Sequence, residues 1–182
     1  MIIKNGCVTL RAIEEKDFNL LFFLINDPHI EEMTGGWHVA TSTLEQKNWI
    51  ANYHNTKENI RLMIELDNQN TIGMVSLTDI DWKNRSCEIN YKIHAKKEER
   101  LPGDITDALE GLIKYAFLEL GLNCIEALIL EYNIPSINLI QKMHFQQEGI
   151  LRQRIFKNGN FNNQICYSLL KDDYIINNQT TK

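Results

Sequence analysis

The stretch Arg100-Leu101-Pro102-Gly103-Asp104-Ile105-Thr106 carries the first chemistry legible in the chain. Gly103 closes a loop, and beyond it apolar residues recur at Ile105, Ala108, Leu109, Leu112, Ile113, Ala116, Phe117 and Leu120. That is the i, i+3, i+4, i+7 spacing of a helix with one buried stripe. The first turn of a helix has backbone N–H groups without carbonyl partners and lies at the positive end of the helix dipole. A glycine-bearing loop that feeds such a turn makes an anion site suited to a pyrophosphate. One glycine equally fits an ordinary loop before a core helix, so the neighbouring sequence has to decide. Upstream, Cys87, Ile89, Tyr91 and Ile93 alternate with Glu88, Asn90 and Lys92, which places the polar three on one face of a strand. On a sheet covered by helices, a carboxylate such as Glu88 needs a partner or an open cleft. Downstream, Asn133 and Ser136 flank Pro135 at the start of another helix. There they either cap the helix or face a ligand.

The elements that must position these residues follow from the same patterning. Cys7–Arg11 alternates as a strand, and Phe18, Leu21, Phe22 and Ile25 mark a short amphipathic helix ending near Pro28. Residues 29–40 read as a loop or a second short helical piece, and hydroxyl caps at 41–43 open a helix carrying Leu44, Trp49, Ile50 and Tyr53. Strands are predicted over 60–66, 72–80 and 87–93, joined by polar turns into an antiparallel meander. After the central helix, which Gly121 ends, come a strand over 124–131 and a helix from Pro135 to Met143. Two strands over 145–156 and 161–170 meet at Asn158-Gly159, a strong hairpin signal. Residues 172–182 read as a polar, frayed tail. The order is β-α-α-β-β-β-α-β-α-β-β, a mixed α/β domain with a mostly antiparallel sheet of about seven strands flanked by helices.

At 182 residues the chain reads as one domain. Its apolar fraction of 43% and charged fraction of 24% are ordinary for a globular chain. A net charge of −5 argues against general nucleic-acid binding and against a basic membrane-surface role. No apolar run approaches a membrane span, and the first residues lack signal-peptide architecture. The four cysteines and five histidines are scattered without ligand spacing. The expectation is therefore reduced thiols in a cytoplasmic protein, each cysteine on a strand, and no metal.

With these residues in order, the chain resembles the GNAT acyltransferase superfamily, which moves an acetyl group from acetyl-CoA to an amine. The likeness is nearest to the subgroup of ribosomal-protein N-terminal acetyltransferases. It is carried by Val8-Thr-Leu-Arg11, Ile72-Gly73, Glu88-Ile-Asn-Tyr91, Arg100-x-x-Gly103 running into Thr106-Asp-Ala-Leu109, Asn133-x-x-Ser136, Lys142-Met-His-Phe145 with Glu148-Gly149, and Gly159-x-Phe161.

The resemblance implies acetyl-CoA as co-substrate, with its pyrophosphate on Arg100, Leu101, Pro102, Gly103, Asp104, Ile105 and Thr106. It puts the pantetheine arm along Tyr91, Lys92 and Ile93 and against Asn133 and Ser136. Ile105 stands where the family has a small residue, and Asp104 brings a negative charge unless it caps the helix with its carboxylate outward. Glu88 is the implied base and a possible contact for a cationic acceptor; its alternative is an exposed glutamate paired with Arg85 or Lys92. Many relatives place a tyrosine acid at the position of Ile140, which cannot donate a proton. The subgroup's serine matches Ser136, with Tyr132 and Tyr167 as further donors. His144 replaces a glycine and reads as a packing or surface residue. Trp37, His38 and Tyr53 fall where relatives shape the acceptor site, while Trp49 reads as core. The implied acceptor is a protein N-terminus or a small amine. A catalytically degenerate module that binds CoA or a protein partner is the alternative. An exposed strand edge would allow a homodimer.

Overall fold

The computed structural model describes residues 2–36, 39–94 and 103–180. Its strands are β1 (Ile3–Asn5), β2 (Val8–Arg11), β3 (Ile60–Leu66), β4 (Thr71–Asp81), β5 (Ser86–Ile93), β6 (Cys124–Leu130), β7 (Gln146–Lys157) and β8 (Asn160–Leu170). They form one eight-stranded sheet in the order β1-β2-β3-β4-β5-β6-β8-β7. Only β5 and β6 pair in parallel; every other neighbouring pair is antiparallel. The helices are α1 (Phe18–Asn26), α2 (Pro28–Met33), α3 (Thr43–Asn52), α4 (Asp104–Leu118), α5 (Ile134–Lys142) and α6 (Lys171–Thr180).

The mixed architecture agrees with the expectation, with differences that have local causes. The eighth strand, β1, is three residues long and folds back through Gly6 at φ +53°. A Cβ at Gly6 would lie 2.0 Å from Asp107 Oδ2, so the turn needs glycine. Cys7 consequently sits in that turn and not on a strand, and its backbone N–H donates to Asp107. Part of 29–40 is helical because Asp27 accepts from the Ile30 N–H and Pro28 opens the first turn. The expected polar tail from Asp172 is helix α6, docked through Tyr174 against Phe117 with ring centroids 5.4 Å apart.

Strand alternation divides the sheet into two faces. Leu62, Ile64, Leu66, Val75, Leu77, Cys87 and Ile89 pack with Ala108, Leu109, Leu112, Ile113, Ala116 and Phe117 of α4 in one core. The alternate residues Arg61, Met63, Met74, Ser76, Thr78, Glu88, Asn90 and Lys92 face the opposite side. There α1 packs on α3 and on β4. Ser42 starts α3 with a capping box: its hydroxyl accepts from the Glu45 N–H, and Glu45 accepts from the Ser42 N–H.

Arg11 ties this second layer to the sheet. It is only 7% exposed, and its guanidinium bonds both carboxylate oxygens of Asp17 at 2.8 Å and Glu65 at 2.5 Å. The guanidinium hydrogen bond holds the Glu65 carboxyl below its ordinary range. A carboxylate with a depressed pKa stabilises the fold above its unfolded-state pKa, and that contribution fades as pH falls through the folded value. Replacing Arg11 with leucine leaves the buried Asp17 without its cation and Glu65 with only the exposed Lys16, and we expect a loss of about 3–5 kcal/mol near pH 7 in urea unfolding. The difference from the parent should shrink as Glu65 protonates in acid. An equally large deficit at low pH would assign Arg11 to packing alone.

Candidate active site

The site begins where two strands stop pairing. β5 and β6 share only the register Ser86–Cys124, Cys87–Ile125 and Glu88–Glu126, although β5 continues to Ile93 and β6 to Leu130. Each strand is held over its length on the other side, β5 by β4 and β6 by β8. The His94 N–H donates to the Ile72 carbonyl at 3.0 Å, which makes His94–Ile72 a hydrogen-bonded antiparallel pair. By alternation, Lys92, Asn90 and Glu88 turn their backbone groups toward β4, while Ile89, Tyr91 and Ile93 turn theirs toward the gap. A row of main-chain donors and acceptors thus lines one side of a V in the sheet.

Two cavities meet at this gap. One, of about 670 Å³, starts at Gly103, Asp104, Ile105 and Thr106 and runs past Tyr91, Lys92 and Ile93 to Asn133 and Ser136. The other, of about 780 Å³, lies between the sheet and α1 and α3, with Glu88, Asn90 and Arg61 on its floor and Trp49 on its helical wall. Met33, Thr34, Tyr91, Lys92, Asn133 and Ser136 belong to both. The structure therefore brings together Glu88, Tyr91, Lys92, Ile93, Gly103, Asp104, Ile105, Thr106, Asn133 and Ser136, as the sequence reading grouped them. Trp37, His38, Arg100, Leu101 and Pro102 lie outside the described residues.

At the junction, Tyr91 Oη and Ser136 Oγ are 2.8 Å apart. Asn133 is fixed at both ends of its amide: Oδ1 accepts the Ser136 N–H, and Nδ2 donates to the Met33 carbonyl at 3.0 Å. It both caps α5 and ties α2 to the edge of the gap. Gly103 precedes α4 at φ +96°, with no atom of the described residues within 4 Å of where a Cβ would stand. The first-turn N–H groups of Asp104, Ile105 and Thr106 have no carbonyl four residues back within the helix. One of them is engaged, because Asp104 Oδ1 accepts the Ile105 N–H at 2.7 Å. Asp104 does not cap outward; it is 3% exposed, and its Oδ2 has no partner among the described residues. Ile105 is half-buried, packing partly against the core and also lining the smaller cavity.

Charge in the second cavity is uneven. Partial burial, with Asp79 and Glu126 nearby, pushes the Glu88 carboxyl upward against a stabilising bond from Asn90. Glu88 has no ion pair with Arg85 or Lys92, and Arg85 instead donates to the Gly121 carbonyl. Burial and the Arg61 guanidinium push the Lys92 ammonium downward.

Other expectations separate. Tyr132 donates to the Glu32 carbonyl at 2.8 Å, and Tyr167 is 1% exposed beside Gln141; neither lines either of these two cavities. Trp49, expected in the core, is 38% exposed and lines the larger cavity, while Tyr53 stacks behind it at 4.7 Å. The short α3 is polar, and its Trp49 packs on Tyr53 at the C-cap instead of entering the core. His144 occupies a left-handed position at φ +65°, where glycine is easiest, and is exposed. Ile140 is buried and lines the larger cavity. Sequence reasoning missed Arg61, Ser76 and Thr78 on the cavity floor. Their alternation with Leu62, Val75 and Leu77 was the available signal.

Comparison with known proteins fits this geometry. Residues 8–146 match the Acetyltransferase (GNAT) domain. The SPbeta prophage-derived uncharacterized N-acetyltransferase YokL of Bacillus subtilis (strain 168) is 28% identical over 170 residues, covering 93% of each chain. The putative ribosomal N-acetyltransferase YdaF of the same organism is 38% identical over 102 residues, 56% of this chain and 55% of that one. In fold, the chain is similar to spermidine N-acetyltransferase from Vibrio cholerae in complex with CoA and spermine, with a TM-score of 0.84 at 24% identity. That likeness covers 94% of this chain and 99% of the other.

The open half of β5 depends on its other neighbour. A Cβ at Gly73 would lie 2.2 Å from the Lys92 carbonyl, so β4 and β5 approach there only because the residue is glycine. We expect Gly73→Ala to cost about 1–3 kcal/mol in urea unfolding. A variant as stable as the parent would show that the two strands part without cost.

Proposed function

The chain belongs to the GNAT acetyltransferase family, and we propose that it transfers an acetyl group from acetyl-CoA to the primary amine of a small acceptor. The observation that carries this reading is the pair of cavities that meet at Tyr91 and Ser136, one starting at a helix N-terminus and the other floored by Glu88. Gly103 and the first turn of α4 hold the diphosphate, and the pantetheine arm runs along the gap-facing edge of β5 toward Ile93. The acceptor occupies the larger cavity, whose volume of about 780 Å³ suits a small molecule. Four free cysteines accord with a reducing, cytoplasmic setting.

In this reading the amine gives a proton to Glu88, directly or through water, and its nitrogen attacks the thioester carbonyl. The C–N bond forms, the C–S bond breaks, and the departing thiolate takes a proton from Ser136. The Tyr91 hydroxyl, hydrogen-bonded to Ser136, backs that donation with a phenol, which is a stronger acid than a serine hydroxyl. Holding the two substrates together supplies the larger share of the acceleration, on the order of 7–11 kcal/mol. A single acid or base adds about 10²–10⁴-fold. The upward displacement of the Glu88 carboxyl suits a base that must hold a proton briefly near neutrality.

Two substitutions test the assignment. Gly103→Trp puts bulk and a left-handed strain at the loop, and calorimetry should register no binding of acetyl-CoA; unchanged affinity refutes the pyrophosphate placement. Glu88 acts in its ionised form, so turnover should rise with pH through a value above the ordinary glutamate pKa of about 4.3. Glu88→Gln should remove that limb and lower kcat by about 10²-fold. A pH profile that superimposes on the parent's returns Glu88 to a structural role.

A further inference from the structure

The floor of the larger cavity carries two cations without an anion to match them. Arg61 on β3 lies opposite Ser76, which lies opposite Asn90, so Arg61 and Asn90 share a row across the sheet. Lys92 projects from the same face, two residues beyond Asn90. Neither Arg61 nor Lys92 has an ion pair among the described residues. The Arg61 guanidinium lies over the Tyr53 ring at 5.8 Å, which fixes its position and leaves its N–H donors for another group. The two are close enough for the guanidinium to disfavour the Lys92 charge. Such a pair in a partly buried cavity is costly unless something negative joins it.

The anions of the cavity do not fill that role. Among the described residues two carboxylates line it, Glu45 and Glu88. Glu45 already accepts the Ser42 N–H at 2.7 Å in the capping box of α3. Glu88 is set back toward the β5–β6 seam, four residues from Lys92, roughly 13 Å along the strand. A diamine or polyamine would bring its second ammonium up to Arg61 and Lys92 with no free carboxylate beside them.

We propose that the acceptor is an amine that also bears an anionic group, a carboxylate or a phosphate, held by Arg61 and Lys92 while Glu88 receives the amine proton. This rests on the acetyl-transfer reading and adds to it the class of acceptor. The strand spacing puts the amine and the anion several bonds apart, on a short chain or ring. Arg61 offers a planar fork for two anion oxygens and Lys92 a point charge, a combination that suits either group.

The test measures binding by calorimetry at saturating CoA with three probes of equal length: 5-aminopentanoate, 3-aminopropyl phosphate and 1,5-diaminopentane. The expected result is that at least one anionic probe binds tenfold or more tightly than the diamine, and which one identifies the group. Arg61→Gln and Lys92→Gln should each weaken the preferred probe by about tenfold, with Arg61→Lys recovering part of the loss. Equal or tighter binding of the diamine, no binding of any probe, or a preference that survives both glutamine variants overturns the proposal. Thiol release from acetyl-CoA, followed with the same amines, separates the two readings. Anion-selective binding without release sinks acetyl transfer and keeps the anion site, whereas release with a preference for the diamine does the reverse.

Discussion

Three register pairs between β5 and β6 set the character of this molecule. With more pairs, the sheet would close and its two halves would form a continuous wall; with fewer, nothing would join them. Each strand is satisfied on its outer side, so parting them costs only the hydrogen bonds along one short seam. The gap-facing main chain of β5 then offers donors and acceptors to an extended partner, since buried amide and carbonyl groups are rarely left unpaired. An extended ligand carrying amides meets that demand better than water in a narrow slot. A hole in the sheet that would count as a defect in a purely structural domain thus becomes, in the proposed reaction, the place where the two substrates meet.

The side chains around the gap hold it open and define its edges. Asn133 spans from the start of α5 to the Met33 carbonyl, so the α2 segment is tied to the C-terminal half of the sheet. Lys157 on β7 reinforces the same edge by donating to the Glu31 carbonyl. Tyr91 and Ser136 bridge the gap itself from β5 to α5. Arg11 anchors the turn ahead of α1 from the other side of the sheet. These contacts join residues far apart in the chain, and they locate a site that no single segment contains. Asp104 is the exception: its buried oxygen, unpartnered among the described residues, stands at the first turn of α4, where the helix dipole favours its charge.

Periodicity made much of this legible. The alternation across 87–93 correctly separated the core residues Cys87 and Ile89 from the cavity residues Glu88, Asn90 and Lys92, and Asn158-Gly159 adopts the left-handed pair expected of its hairpin, at φ +51° and +78°. The apolar stripe after Gly103 became the helix that fills the larger core. Short elements were harder. β1 has three residues, too few to show a period, and it exists because Gly6 and Asp107 meet across a hundred positions of chain. α6 carries few apolar residues, and Tyr174 docks it by a contact that composition cannot reveal. Trp49 was misplaced because its helical spacing from Tyr53 resembles a core stripe, whereas the two rings stack on each other beside a cavity. Arg61 escaped notice for a related reason: its importance lies in cross-strand register with Ser76 and Asn90, which a single strand does not encode.

That register matters because the proposed chemistry asks so little of any one side chain. When most of the acceleration comes from holding two reactants at one point, the selective pressure falls on geometry, and the acid and base can be modest groups such as Ser136 and Glu88. Discrimination among amines must then come from the walls of the cavity, where an unmatched charge is felt strongly because little water is left to screen it. Two cations two strands apart reject a cationic tail and attract an anionic one without touching the reacting atoms. In the proposed reaction the seam fixes where acetyl transfer occurs, and the polar face of the meander decides what is brought to it.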